Sequence, residues 1–142
     1  MPPVLFDSSL YISALRAGGE AVVAFRRLSA QGPLWLSAVV LEELYAGVSR
    51  QDLKVVERLE RDFDRAGRIL VPNLSDWAQA GKVLALLGAE YGYEEIGKAR
   101  LTNDALIAMS AGRQGITVIT ANERDFARLR RFRPFNYEVM RF

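Results

Sequence analysis

The stretch that decides the fold is "VLFDSSLYI", Val4 to Ile12. Three apolar residues, Val4 to Phe6, run into the carboxylate of Asp7; two serines follow, and apolar sequence resumes at Leu10. A short, continuous apolar run fits a strand covered on both faces, as in a parallel sheet. A carboxylate at its end is costly to bury unless something pairs with it. Asp7 therefore either caps the helix that follows or holds something positive.

The same alternation continues along the chain. Short apolar strands are expected at Leu34–Leu36, Arg68–Val71, Ile116–Thr120 and Tyr137–Met140. Helical spacing lies between them. Ser9–Arg16 and Glu20–Ala30 read as two helices split at Gly18 and Gly19, and Ala38–Val48 as a third with Ser37 as its N-cap. Asp52–Ala66 is charged but carries an apolar stripe, Leu53, Val56, Leu59 and Phe63. Asp76–Tyr91 follows. Asn103–Gln114 is apolar after its first turn, hence central, and Gly115 ends it. Strands alternating with helices predict an α/β fold, with a central, mainly parallel sheet of four to five strands. The chain has no internal repeat and no linker, and its 142 residues form one domain over 1–142.

Composition narrows the chemistry. Half of the residues are hydrophobic and a quarter charged, as in a globular protein. No apolar run reaches bilayer-spanning length, and "MPPVLFDSS" lacks the basic start and long apolar core of a signal peptide, so a cytoplasmic protein is expected. There is no cysteine and no histidine. Disulfides, thiol nucleophiles, Ser-His-Asp triads, imidazole acid–base catalysis and zinc sites built on His or Cys are excluded. Hard oxygen ligands remain, and these suit Mg²⁺ or Mn²⁺. Neither phosphate-loop pattern, G-x-x-x-x-G-K-[ST] or G-x-G-x-x-G, occurs. Net charge is +2, but Arg124, Arg128, Arg130, Arg131, Arg133 and Arg141 crowd the C-terminal end, a distribution compatible with phosphate binding.

In a parallel α/β sheet, ligands sit beyond the C-terminal ends of the strands. Asp7 lies at such an end. So does "VITANERDF", Val118 to Phe126, which brings Thr120, Asn122, Glu123 and Asp125. In "SAVVLEELYAG", Ser37 to Gly47, Glu43 falls beside the core-facing stripe and Glu42 points further away. In "RLTNDALIAMSA", Arg100 to Ala111, Thr102 is the expected N-cap and Asp104 stands in the first turn. Taken singly, each has a plainer reading: Asp7 and the Asn122–Asp125 pair as caps, Asp104 as a partner of the helix dipole, Glu43 as edge polarity, Thr120 as a strand residue, Ser8 and Ser9 as turn residues. Together, carboxylates at one edge would repel one another. A divalent cation relieves the repulsion, lowers the pKa of a bound water and neutralises charge on a phosphate.

The ordered set "FDSS", "LEELYAG", "LTNDALIA" and "VITANERDF" resembles the PIN domain, most closely the VapC-type ribonuclease toxins of bacterial toxin–antitoxin pairs. The likeness runs along essentially the whole chain and implies a three-layer α/β/α fold. It also implies an endoribonuclease dependent on Mg²⁺ or Mn²⁺. Asp7, Glu43 and Asp104 match the acidic triad, and Thr120 the supporting hydroxyl. Ser8 or Ser9 would orient Asp7 or a bound water, with Ser8 assigned to the site. Many such domains have a fourth acid two residues after the threonine. Asn122 stands there, so Asp125 is favoured as its substitute over Glu123, and a one-metal site, or a second ion recruited only with RNA, is expected over a preformed two-metal clamp.

The implied substrate is structured RNA such as tRNA or rRNA, with Arg100, Arg113, Arg124 and Arg128 as phosphate contacts. The implied partners are a cognate antitoxin and a second copy of the chain. The Leu53–Phe63 stripe, with Val22, Val23 and Phe25, could form the groove for either, packing against the chain's own core being the simpler use of the stripe. Two alternatives remain: a receiver-like signalling module, disfavoured because Lys82 and Lys98 fall in or near helices, and a catalytically silent PIN fold that binds RNA.

Overall fold

A computed structural model describes residues 2–17, 32–94 and 101–140. The expected helix Glu20–Ala30, with Val22, Val23 and Phe25, lies outside them, as do Gly18, Gly19, Lys98, Arg100 and Arg141. In chain order the elements are β1 (Val4–Phe6), α1 (Ser8–Ala17), β2 (Leu34–Ser37), α2 (Ala38–Gly47), α3 (Leu53–Arg65), β3 (Ile69–Leu70), α4 (Leu74–Tyr91), α5 (Leu101–Gln114), β4 (Thr117–Thr120), α6 (Glu123–Arg130) and β5 (Tyr137–Val139). The five strands form one sheet in the order β3-β2-β1-β4-β5, and every pair is parallel. The fold is a three-layer α/β/α sandwich, as the alternation of strands and helices predicts.

Strand alternation sorts side chains onto the two faces. Leu5, Leu36 and Val118 enter the larger core with residues of α2 to α6, including Val40, Leu87, Ile107 and Phe126. Phe6 and Ile119 enter a smaller cluster with Leu10 of α1. Phe6, Leu10, Leu36, Ile107 and Phe126 are fully buried, and each such side chain contributes about 1.5–3 kcal/mol.

Helix ends follow local chemistry. The Ser37 hydroxyl accepts from Val39 N at 3.2 Å, fixing the start of α2. Helix α4 begins two residues earlier than periodicity suggests, because Asn73 and Asp76 form a reciprocal capping box, 2.9 Å in each direction. Thr102 lies inside α5 and does not cap it, a correction to the sequence reading. Gly67 and Gly115 both have φ +68°. Each closes a helix by the same pair of backbone bonds, Arg68 N to Phe63 O at 2.9 Å and Ile116 N to Ala111 O at 2.9 Å among them. Each returns the chain directly into a strand, β3 or β4.

The apolar stripe of α3 mostly serves the protein's own core. Val56 is buried, Leu59 and Phe63 pack against the core, and Leu53 remains exposed. The Tyr45 hydroxyl donates to Glu60 Oε1 at 2.6 Å and ties α2 to α3. At the end of α5, Arg113 grips Asp76 with Nε 3.0 Å from both carboxylate oxygens. Asp76 begins α4 and Arg113 ends α5, so these two closely packed helices run antiparallel.

Candidate active site

The site is built on the two central strands. Leu5 pairs with Val118 and Phe6 with Ile119. One residue further along that ladder, Asp7 stands level with Thr120. The Asp7 N–H donates to Ile119 O at 3.0 Å, and the Thr120 hydroxyl donates to Asp7 Oδ2. The other carboxylate oxygen, Oδ1, accepts from the backbone N–H of Ser9 at 3.0 Å and from its hydroxyl. Asp7 is 4% exposed and Thr120 fully buried. The two possible roles of Asp7, cap and site residue, are thus compatible in space: it caps α1 through Ser9 while its carboxyl faces the end of the sheet.

Asn122 extends this network. Its backbone N–H donates to the Thr120 oxygen at 2.9 Å. Its side chain caps α6, accepting from Asp125 N at 3.3 Å and donating Nδ2 to Asp125 Oδ2 at 2.8 Å. Asp125 is buried. Asn122 thus brings no charge itself but holds the acid one turn further on. Glu123 is exposed.

Helices α2 and α5 supply the remaining acids. Glu43 is half-buried on α2, and its neighbour Glu42 is exposed. Asp104 is half-buried in the first turn of α5. Its carboxyl is pushed up to about 8, first by burial and then by the charges of Asp7, Glu43 and Asp125. Burial likewise raises Asp7, against the lowering effect of its bonds from Ser9 and Thr120. Four acids from β1, α2, α5 and α6 therefore share one electrostatic neighbourhood. Among the described residues no three of them are arranged closely enough to hold an ion as they stand. Their donors are nevertheless all carboxylate oxygen, the set that suits a hard divalent cation. Mutual repulsion spaces acids apart, and a cation reverses that force.

Other residues named from the sequence fall elsewhere. Ser8 opens α1, and the serine that bonds Asp7 is Ser9. The two-residue spacing of an Asx turn was the signal for it. Arg113 lies nine residues beyond Asp104, roughly 14 Å along the helix axis. Its guanidinium is committed to Asp76, which removes it from the rim of the site. Arg124 is exposed at the start of α6. The Arg128 guanidinium lies 4.4 Å from the centre of the Tyr91 ring. Tyr91 was not singled out from the sequence, where an aromatic residue at a helix end carries no distinguishing pattern.

No curated protein sequence matches the chain. Solved structures do. The fold resembles a chain of DNA-bound VapBC from Salmonella typhimurium with a TM-score of 0.70 and 22% identity over 98% of each chain. It resembles a chain of VapBC-1 from nontypeable Haemophilus influenzae with a TM-score of 0.63 and 19% identity, covering 96% of this chain and 97% of that one. A chain of FitAcB from Neisseria gonorrhoeae gives a TM-score of 0.60 and 23% identity over 94% and 95%. The sequence itself matches the PIN domain over residues 4–131, a span that contains β1 to β4 and all of Asp7, Glu43, Asp104 and Asp125. With fold, acid-bearing edge and sequence in agreement, the chain belongs to the PIN domain family.

Proposed function

We propose that the protein is a metal-dependent endoribonuclease and the toxin of a toxin–antitoxin pair. The observation that carries the reading is the placement of Asp7 and Asp125 at strand ends or the helix start beside them, with Glu43 and Asp104 in the same electrostatic neighbourhood; burial first, and then the charges of the other three acids, raise Asp104. Asp7 and Asp104 would bind Mg²⁺ or Mn²⁺, with Glu43 and Asp125 completing the acidic ring. When bound, such an ion supplies Lewis acidity toward a phosphodiester and a water activated near neutral pH. The chain's own part is orientation. Thr120 and Ser9 hold the two oxygens of Asp7, and Asn122 holds Asp125. Without histidine or cysteine, imidazole and thiolate routes are closed, and the all-carboxylate donor set favours a metal-assisted one.

The toxin assignment rests on likeness to chains from VapBC and FitAB assemblies, some of them described as DNA-bound. A cognate antitoxin and a homodimer are the expected partners, the cytoplasm the expected location, and structured RNA such as tRNA or rRNA the expected substrate. Membership of the PIN family leaves the receiver-like alternative without support. The deciding experiment is RNA cleavage by purified protein with and without Mn²⁺, alongside Asp7→Asn. Cleavage should require the ion and fall by at least 100-fold in the variant. Undiminished cleavage in excess chelator, or by Asp7→Asn, would overturn the assignment. Retained RNA binding without any cleavage would favour the silent PIN fold.

A further inference from the structure

Helix α6 is short, and it carries the acid Asp125 in its first turn. Two fully buried apolar side chains, Phe126 and Leu129, root it in the core. Its front end is tied to the sheet, because Asn122 bonds both Asp125 and the Thr120 oxygen. Its far end is tied to α4. Tyr91 stands in the last position of α4. The Arg128 guanidinium lies 4.4 Å from the centre of its ring and the Arg131 guanidinium 5.7 Å. Arg131 also donates to the Tyr91 hydroxyl and, at 2.6 Å, to Glu90 Oε1. Arg128 lies one turn beyond Asp125, and Arg131 is the C-cap of α6. Tyr91 thus touches α6 at the turn next to its acid and again at its close. Because α4 runs antiparallel to α5, the end that bears Tyr91 lies toward the start of α5, where Asp104 stands.

We propose that Tyr91 is a positioning residue for the acidic site: through Arg128 and Arg131 it clamps α6 to the end of α4 and keeps Asp125 turned toward Asp104. The use of the site rests on the metal-dependent reading; the clamp itself rests on the contacts just described. A balance of forces calls for it. Asp125 and Asp104 share one electrostatic neighbourhood, and like charges without a cation between them drive α6 away from α5. A helix of 8 residues has few contacts with which to resist that push. A guanidinium stacked on an aromatic face supplies one, and Arg131 fixes the orientation of the ring by bonding its hydroxyl. The ring carries the larger share. The Arg131–Glu90 ion pair is solvent-exposed on both sides, and such a pair contributes little by itself.

Calorimetry of Mn²⁺ binding to the whole protein, without RNA, tests the clamp. Tyr91→Leu should weaken Mn²⁺ binding about 10-fold, and Tyr91→Phe, which keeps the ring beside Arg128, should recover most of the loss. Glu90→Gln should change affinity by less than about 2-fold. The deciding comparison repeats Tyr91→Leu in Asp125→Asn protein. A clamp that acts through Asp125 has nothing left to position there, so the further loss should shrink to less than about 2-fold. Equal losses in both backgrounds, as a merely structural role would give, or no loss in either, would overturn the proposal. Hydrogen exchange in excess chelator reads the same clamp without a metal. Tyr91→Leu should speed exchange of the α6 amides about 10-fold, and adding Asp125→Asn should slow it again by relieving the repulsion. Exchange unchanged by Tyr91→Leu would overturn the clamp even if wild-type protein binds Mn²⁺ and cleaves RNA. Mn²⁺ binding and exchange as stated, with no RNA cleavage by wild-type protein, would keep the clamp and overturn the nuclease.

Discussion

At the scale of single residues, the acidic edge makes two predictions. The Asp104 carboxyl is raised from 3.8 to about 8. A raised acid binds more protons in the folded state than in the unfolded one, so its contribution to stability declines as pH rises through that interval. In chelator, Asp104→Asn should therefore gain on wild type between pH 4 and pH 8, by several kcal/mol at the upper end at about 1.4 kcal/mol per pK unit. Melting curves across pH measure this, and a difference independent of pH would contradict the electrostatic account. Thr120→Val removes the hydroxyl that links Asp7 to Asn122. It should lower Mn²⁺ affinity by calorimetry about 10-fold while the protein stays folded; unchanged affinity would show that Thr120 does not organise the site. Sequence alone brought Asp7, Thr120 and Asp104 to one edge of the sheet, where the structure also has Asp7 bonded to Thr120, because strand ends and helix starts are visible in apolar patterning. It assigned Ser8 to the site where the structure has Ser9 bonded to Asp7, since both serines follow Asp7 and only the turn geometry separates them.

At the scale of elements, two of the helices that feed the sheet, α3 and α5, end on left-handed glycines. Gly115 has φ +68° and open space around its missing Cβ. Gly115→Ala should therefore cost backbone strain without a clash, about 1 kcal/mol. Thermal denaturation should show a fall of about 3 °C, and no shift would mean the turn relaxes freely. The first four strands were legible as short, mostly apolar runs, and α3 because its charge and apolar stripe separate cleanly; β5 carries the exposed Glu138. Two helix starts were less legible. The Asn73–Asp76 box begins α4 before its periodic stretch, and Leu101 is already fully buried within α5, ahead of the polar residues that suggested a cap. Arg113 misled for a different reason. Its charge suited phosphate, but its partner Asp76 lies 37 residues away, a pairing that no local pattern displays.

At the scale of the whole molecule, order in the sheet differs from order in the chain. The first strand occupies the centre, between β2 and β4, and β4 and β5 complete one side of the sheet. A chain ending at residue 115 would lack β4, α6 and β5, and with them Thr120 and Asp125. It should show no cooperative thermal transition and no Mn²⁺-dependent stabilisation; a sharp transition in that fragment would mean the remaining strands form a self-sufficient core. The general architecture was readable from the rhythm of strands and helices, whereas the neighbours of β1 were not, because strand order is set by long-range packing. The bond between Asp7 and Thr120 spans 113 positions. On the ribosome, Asp7 emerges 113 residues before the partner that fixes it. A nascent polypeptide interrupted before Thr120 carries the first acid but not the hydroxyl that fixes it. The nuclease activity proposed for the chain would thereby be withheld until β4 has been made.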